Sequence, residues 1–397
     1  MTAVRFTTRE IGSLGKPSWR VKAFAGRPLE EEDVREAERW GKRLQVDGHE
    51  ELVETLGAAA RNSAILGNGG KPLAEIDDWA ARYAIRLLEQ AGLDVVYDGE
   101  QKRTEMYDHV AAFAHGFEPR GTVRSFDNKY YAKAAVVDRP SADGPQDVDE
   151  LRFVAAHTRR QLKVPLTGAY TMENWSYDEH YAREGALAGS AEQRYEARRQ
   201  FVEDVAGRVI RPNVLGLVEA GADWIQIDEP AAATKPDEVP LVVHGFNTAL
   251  RDVGAAKRSM HICFSDYRTL WPAVLELEDC LELQLEFANR DSRELGTSAE
   301  DRPGYDDTLR LFAEHGYPGV GLGVLDIHSD FVEPAELVRD RILFAVDTLG
   351  GPERIQVNPD CGLRTRTWDV VYEKLSNMVA GARLAEDVLN TAHAGAG

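Results

Sequence analysis

The sequence predicts an α/β fold, a (β/α)8 barrel of the TIM type with extra N-terminal helices and a β-hairpin-like insertion. Two observations carry this. Eight short apolar runs alternate with amphipathic helical segments, the pattern of parallel βαβ units. Each run then ends in polar, chemically capable side chains, and parallel barrels collect their reactive groups at the C-terminal ends of the strands.

In chain order the runs are roughly Arg5–Ile11, Leu93–Tyr97, Val164–Tyr170, Trp224–Ile227, Ser259–Phe264, Cys280–Phe287, Val320–Leu325 and Ile355–Val357. Helix signals lie between them. Ser190 with Gln193 forms a capping box ahead of EQRYEARRQFVEDVAGRVI, and Asp147 with Glu150 suggests another ahead of ELRFVAAHTRR. Glu333 and Pro334 read as N-cap and first helical residue of AELVRDRILFAVDTL. A last helix runs through TWDVVYEKLSNMVAGARLAEDVL. Residues 14–92 hold long charged helices, and residues 116–146 carry the β-branched and aromatic content of a hairpin. The simplest organisation is one barrel spanning residues 1–397, elaborated at those two places.

The composition narrows the partners. Of 397 residues, 47 are basic and 67 acidic, a net charge of −20, which argues against nucleic acid or an anionic membrane surface. No run approaches the ~20 apolar residues of a membrane span. MTAVRFTTREIGSLGKP has no apolar signal core, so a cytoplasmic protein is expected. Three cysteines make no disulfide framework.

The strand exits carry the chemistry: Ile11-Gly12-Ser13, Asp98-Gly99-Glu100, Tyr170 to Trp175, Asp228-Glu229-Pro230, His261-Ile262-Cys263, Glu286, Asp326 to Ser329, and Asn358 to Cys361. His261 and Cys263 are two apart on a strand, so both side chains face the same way. Taken alone, such a pair is more often a core histidine and a buried cysteine. Cys361 strengthens the set because it closes the last run, whereas Cys280 opens its run at the opposite rim and is assigned to packing. Glu286 ends an apolar run where an unpaired carboxylate is costly to bury. One His, two Cys and one Glu suit zinc. Zinc at a strand-exit rim would activate a small thiol, whose free pKa is ~8.5, for alkylation.

NPDCGLRTR, the His-x-Cys pair, IQIDEPA, DIHS, DGE and IGS, spread over about Ile11 to Arg383, resemble the catalytic barrel of cobalamin-independent methionine synthase. The resemblance is to the C-terminal half of the long two-barrel enzymes, as in a short core version. It implies that His261, Cys263, Glu286 and Cys361 hold zinc, and that L-homocysteine is the thiol. Ile11 and Ser13 would hold its carboxylate, and Glu100 and Asp228 its ammonium. His328 would serve as the catalytic histidine, and Trp175 would pack on the methyl donor. The implied donor is a methylated corrinoid, with a corrinoid protein as one partner that could present it, or 5-methyltetrahydrofolate. The first loop reads IGSLGKP where the family commonly has an aromatic after the serine, and LEFANRD surrounds Glu286 in place of small residues.

Plainer readings stand beside these. Trp175 could be loop packing, Asp228 a helix cap, His328 a structural donor, and Glu100 a partner of Lys102 or Arg103. Two other functions compete: joining an epoxide to the thiol of coenzyme M, and a non-catalytic barrel that holds zinc or homocysteine.

Overall fold

The computed structural model describes residues 3–67, 73–124, 130–182, 189–263, 265–317 and 319–395. Its strands are β1 (Val95–Val96), β2 (His115–Arg124), β3 (Tyr130–Ser141), β4 (Gln161–Thr167), β5 (Tyr177–Asp178), β6 (Trp224–Asp228), β7 (Lys257–Ile262), β8 (Glu282–Leu285), β9 (Val320–Gly323) and β10 (Ile355–Asn358). Seven form one parallel sheet in the order β1-β4-β6-β7-β8-β9-β10. The first apolar run supplies the eighth member. Thr8 bridges Val357 of β10 and Arg9 bridges Val95 of β1, both in parallel. The Arg9 amide donates to Val357 O at 3.1 Å and the Val95 amide to Thr8 O at 3.1 Å, so both edges of the sheet end on one segment and the ring is closed.

The predicted runs match these members with one displacement. Val164–Tyr170 was expected as a strand, but β4 ends at Thr167, and Ala169–Trp175 is helical. The helix begins there because Glu229 accepts hydrogen bonds from the amides of Tyr170 (3.0 Å) and Thr171 (2.7 Å), donors that a helix N-terminus leaves open. A Cβ on Gly168 would lie 2.1 Å from the Glu229 carboxyl, so this turn needs glycine. Phe264, at the end of another run, lies outside the described residues.

The capping expectations divide. Ser190 and Gln193 do form the reciprocal box that opens the helix Ala191–Val205. Asp147 precedes the helix Val148–His157 without capping it. Its carboxylate is taken by His109 Nε2 (2.6 Å) and Asn213 Nδ2 (2.7 Å), while Glu150 binds Arg103. Glu333 likewise lies one residue before the N-cap of the helix Ala335–Leu349. It accepts from Lys374 Nζ at 2.7 Å and from the Asp326 amide at 2.8 Å. Ion pairs at fixed geometry outweighed local capping, which is worth only ~1 kcal/mol.

The N-terminal elaboration consists of the helices Ser18–Phe24, Glu31–Leu44, His49–Arg61 and Ala74–Gln90. Trp40 packs edge-on against Trp368, 5.6 Å between centroids, and the Trp368 indole donates to Gly15 O at 2.6 Å. These contacts tie the elaboration to the loop of Ser13 and to the last helix, Trp368–Gly395. The second elaboration is the expected hairpin, β2 antiparallel to β3, with β5 added in parallel. Among the described residues, no helix is long and apolar enough to cross a membrane.

The outward faces of the barrel strands are aliphatic, as the apolar runs imply, but the inward faces are not. Arg9, Glu10, Lys163, Gln226, Ser259, Glu282, Gln284 and Asn358 are all buried to within about 1% exposure. Arg9 pairs with Glu282, donates to Gln356 Oε1 (2.6 Å) and Asn358 Oδ1 (3.0 Å), and lies over the Trp224 ring at 4.6 Å. Barrels are usually filled by branched aliphatic layers. Here β9, reading VGLG, makes room for longer polar side chains. A Cβ on Gly321 would sit 2.5 Å from Gln284 Cγ and 2.8 Å from Arg9 Nη2. Gly321→Ala is therefore expected to destabilise the fold by about 1–3 kcal/mol, the usual cost of overpacking. Urea denaturation would show it as a lowered midpoint at unchanged slope.

Candidate metal and thiol site

The parallel register sets the site. Asp228 pairs with His261 across β6 and β7, and His261 with Gln284 across β7 and β8. Asp228, His261 and Glu286 therefore come to the same rim from three neighbouring members. Cys263 follows β7, and Cys361 lies three residues beyond β10.

Three ligand-type side chains meet there. The ligand atoms of His261, Cys263 and Cys361 lie within 4.8 Å of one another. His261 Nε2 stands 3.0 Å from Cys263 Sγ and 3.2 Å from Cys361 Sγ, and the two sulfurs are 3.1 Å apart. His261 Nδ1 is 3.1 Å from Gln284 O, so that nitrogen donates, and Nε2 faces the sulfurs. The sulfurs and the imidazole perturb one another strongly. The hydrogen bond between the sulfurs, with burial, pushes Cys263 well above the usual thiol range; the same hydrogen bond, helped by His261 and against burial, draws Cys361 well below it. Burial would lower His261, but Cys361, Asp228 and Glu286 outweigh it and hold the imidazole up at about 9. Two sulfurs and an imidazole nitrogen crowded around one point are a soft donor set that fits zinc.

Glu286, the fourth expected ligand, is 2% exposed at the same rim but outside this trio. Its Oε2 accepts from Asn289 Nδ2 at 2.7 Å and lies 3.8 Å from His328 Nε2. His328 is half exposed, with its amide donating to Asp326 Oδ1 at 2.8 Å.

Asp360 stands in a strand-exit cluster of the sequence, but the sequence gives it no role. Fully buried beside Cys361, it accepts from the amides of Phe287 (2.9 Å), Ala288 (3.0 Å) and Asn289 (2.7 Å). One carboxylate thus ties the Cys361 loop to the loop after Glu286. A Cβ on Gly323 would fall 2.2 Å from Asp360 Oδ1, a close approach that explains the second glycine of VGLG. Its place between Pro359 and Cys361 was the only available signal.

Glu100 and Asp228 are both buried, at 9% and 8% exposure. Glu100 sits at φ 56°, its amide donating to Asp98 Oδ1 at 2.8 Å, and it lies across Gly12, where a Cβ would be 2.8 Å from Oε1. Burial raises the Asp228 carboxyl to about 7, opposed by His261 and reinforced by the charge of Glu100. A buried carboxyl with a second acid beside it is relieved by a cation between them. Ile11 is buried, and its carbonyl accepts from Lys163 Nζ at 2.7 Å and Gln226 Nε2 at 2.8 Å. Ser13 Oγ lies against the Cys361 loop, 2.6 Å from where a Cβ on Gly362 would be. Trp175 ends its helix and packs on Tyr107, 6.3 Å between centroids. Cys280 is buried two residues before β8, donating to Glu282 O at 3.3 Å, in keeping with its assignment to packing.

The sequence profile described as "Cobalamin-independent synthase, Catalytic domain" matches residues 74–384. The chain belongs to this family. Among similar cobalamin-independent synthase relatives, a methionine synthase of Thermoplasma acidophilum is 40% identical over 315 residues, covering 77% of this chain and 88% of that one. A methionine synthase of Pyrococcus furiosus is 34% identical over 300 residues, covering 75% and 79%. A solved B12-independent methionine synthase from Shewanella sp. W3-18-1, in complex with selenomethionine, superposes with a TM-score of 0.66 at 21% identity, covering 97% of this chain and 99% of that one. At that identity it supports the fold of this cobalamin-independent synthase family member.

Proposed function

We propose that this methyltransferase transfers a methyl group to the thiol of L-homocysteine, forming L-methionine, with one zinc ion held by His261, Cys263, Cys361 and Glu286. The observation that carries the reading is the placing of a soft donor set and a buried acidic pair on one barrel rim. A thiol that also bears an ammonium group fits both. The names of the relatives, methionine synthases at 32–40% identity, support it.

Zinc bound there would supply Lewis acidity, favouring loss of the thiol proton to solvent near neutral pH. The chain does the rest. Glu100 and Asp228 receive the ammonium as a charge-assisted clamp. Ile11 and Ser13 hold the carboxylate end in the first loop. Trp175, braced by Tyr107, offers a face to the donor. The sulfur lone pair forms the new S–C bond while the bond from the methyl carbon to the donor breaks, its electron pair leaving with the donor. Where the donor leaves through a nitrogen, as in 5-methyltetrahydrofolate, His328, half exposed near Glu286, gives that nitrogen a proton. The donor is a methylated corrinoid, brought by a corrinoid protein, or 5-methyltetrahydrofolate.

The test is methionine formation from homocysteine with methylcobalamin and with 5-methyltetrahydrofolate in parallel. Chelation should reduce turnover by about 100-fold or more, and zinc should restore it. Full activity in metal-free protein would sink the zinc mechanism.

A further inference from the structure

Beneath the acidic pair lies a buried lysine with an unusual commitment. Lys163 is 0% exposed on β4 and points into the barrel, where burial disfavours its charge. It faces Arg9, Glu10, Asp228 and Glu282. Glu10 is its ion-pair partner, but at the long distance of 3.6 Å from Oε2, with neither Glu10 oxygen within ordinary hydrogen-bond reach. Lys163 Nζ donates instead to two neutral acceptors, Ile11 O at 2.7 Å and Gln226 Oε1.

What the two bonds accomplish lies one residue further on. With its oxygen turned to Lys163, the Gln226 amide must turn its NH2 the other way. That nitrogen donates to Ile11 O at 2.8 Å and to Asp228 Oδ1 at 2.6 Å. The acceptor side of Gln226 can face only a donor, and Lys163 is the donor present. Without it the amide is free to flip and set its oxygen against the Asp228 carboxylate, a repulsive contact.

We propose that Lys163 is a positioning residue for the ammonium end of the substrate, acting through the Gln226 amide to hold the Asp228 carboxylate in place. This rests on the homocysteine reading. Lys163 never touches the thiol, so its influence falls on recognition of the ammonium.

The test uses zinc-loaded full-length protein, the variants Lys163→Met and Gln226→Leu, and two ligands: L-homocysteine and 4-sulfanylbutanoate, which is homocysteine without its amino group. By calorimetry, both variants should bind homocysteine about tenfold more weakly, the effect of one misdirected charge-assisted hydrogen bond. Binding of 4-sulfanylbutanoate should stay within about twofold, and kcat at saturating homocysteine within about threefold, because binding energy is lost and not chemistry. Thermal melts establish that each variant is folded, and should Lys163→Met not fold, Gln226→Leu carries the comparison. Equal weakening of both ligands would mean a general structural role and overturn the proposal. So would unchanged homocysteine binding in either folded variant. If the unmodified protein binds neither thiol, the homocysteine reading falls and the proposal with it, a result visible before any variant is made.

Discussion

Cys361→Ala is expected to empty the metal site and reduce homocysteine methylation on the order of 10³-fold or more, since thiol activation and thiol positioning are lost together. Cys361 is the sulfur drawn lowest in the cluster, 3.1 Å from Cys263 Sγ and 3.2 Å from His261 Nε2. Removing it leaves one sulfur and one imidazole in close reach. Even loss of a supporting group behind a ligand costs roughly 10–100-fold in metal affinity, so loss of the ligand costs at least that. Zinc content after dialysis, read by atomic emission beside a methionine assay, checks both. The fold should persist, because the Cys361 loop is anchored by Asp360 and its three amide donors. A variant that keeps one zinc per chain and full turnover would overturn the ligand assignment.

Asp228→Asn should leave zinc in place and weaken homocysteine binding by about 30-fold or more. Removing one partner of a buried charge pair costs about 2–5 kcal/mol. Asp228 is 8% exposed, oriented by Gln226 at 2.6 Å, and shares its surroundings with Glu100. Asparagine keeps the shape and removes the charge, so the loss isolates the ammonium contact. Calorimetry with L-homocysteine, beside zinc analysis of the same sample, separates this from a metal effect. Unchanged affinity with zinc retained would assign Asp228 to capping or packing and leave Glu100 as the single candidate for the ammonium.

Sequence alone determined the barrel class and most of its rim. Apolar runs of strand length between helices leave few ways to bury both faces of a parallel sheet. The i, i+2 spacing of His261 and Cys263 then fixes a shared direction for their side chains. Cys361 could be assigned to the same rim because it ends a run and does not begin one.

Tertiary structure decided what local pattern does not encode. The closing member, Thr8 and Arg9, is held by bonds to Val95 and Val357, contacts 86 or more residues apart that no window of sequence contains. Asp147 and Glu333 have the sequence context of helix caps, but stronger partners from distant elements took them. The gathering of His261, Cys263 and Cys361, with Glu286 set aside toward Asn289 and His328, depends on loop paths after the strands. Lys163, Gln226 and Asp360 were invisible as a group for the same reason. Hydrophobic periodicity reports which face of a strand is buried; a hydrogen bond between β4 and the first loop depends on where the closed ring brings their ends.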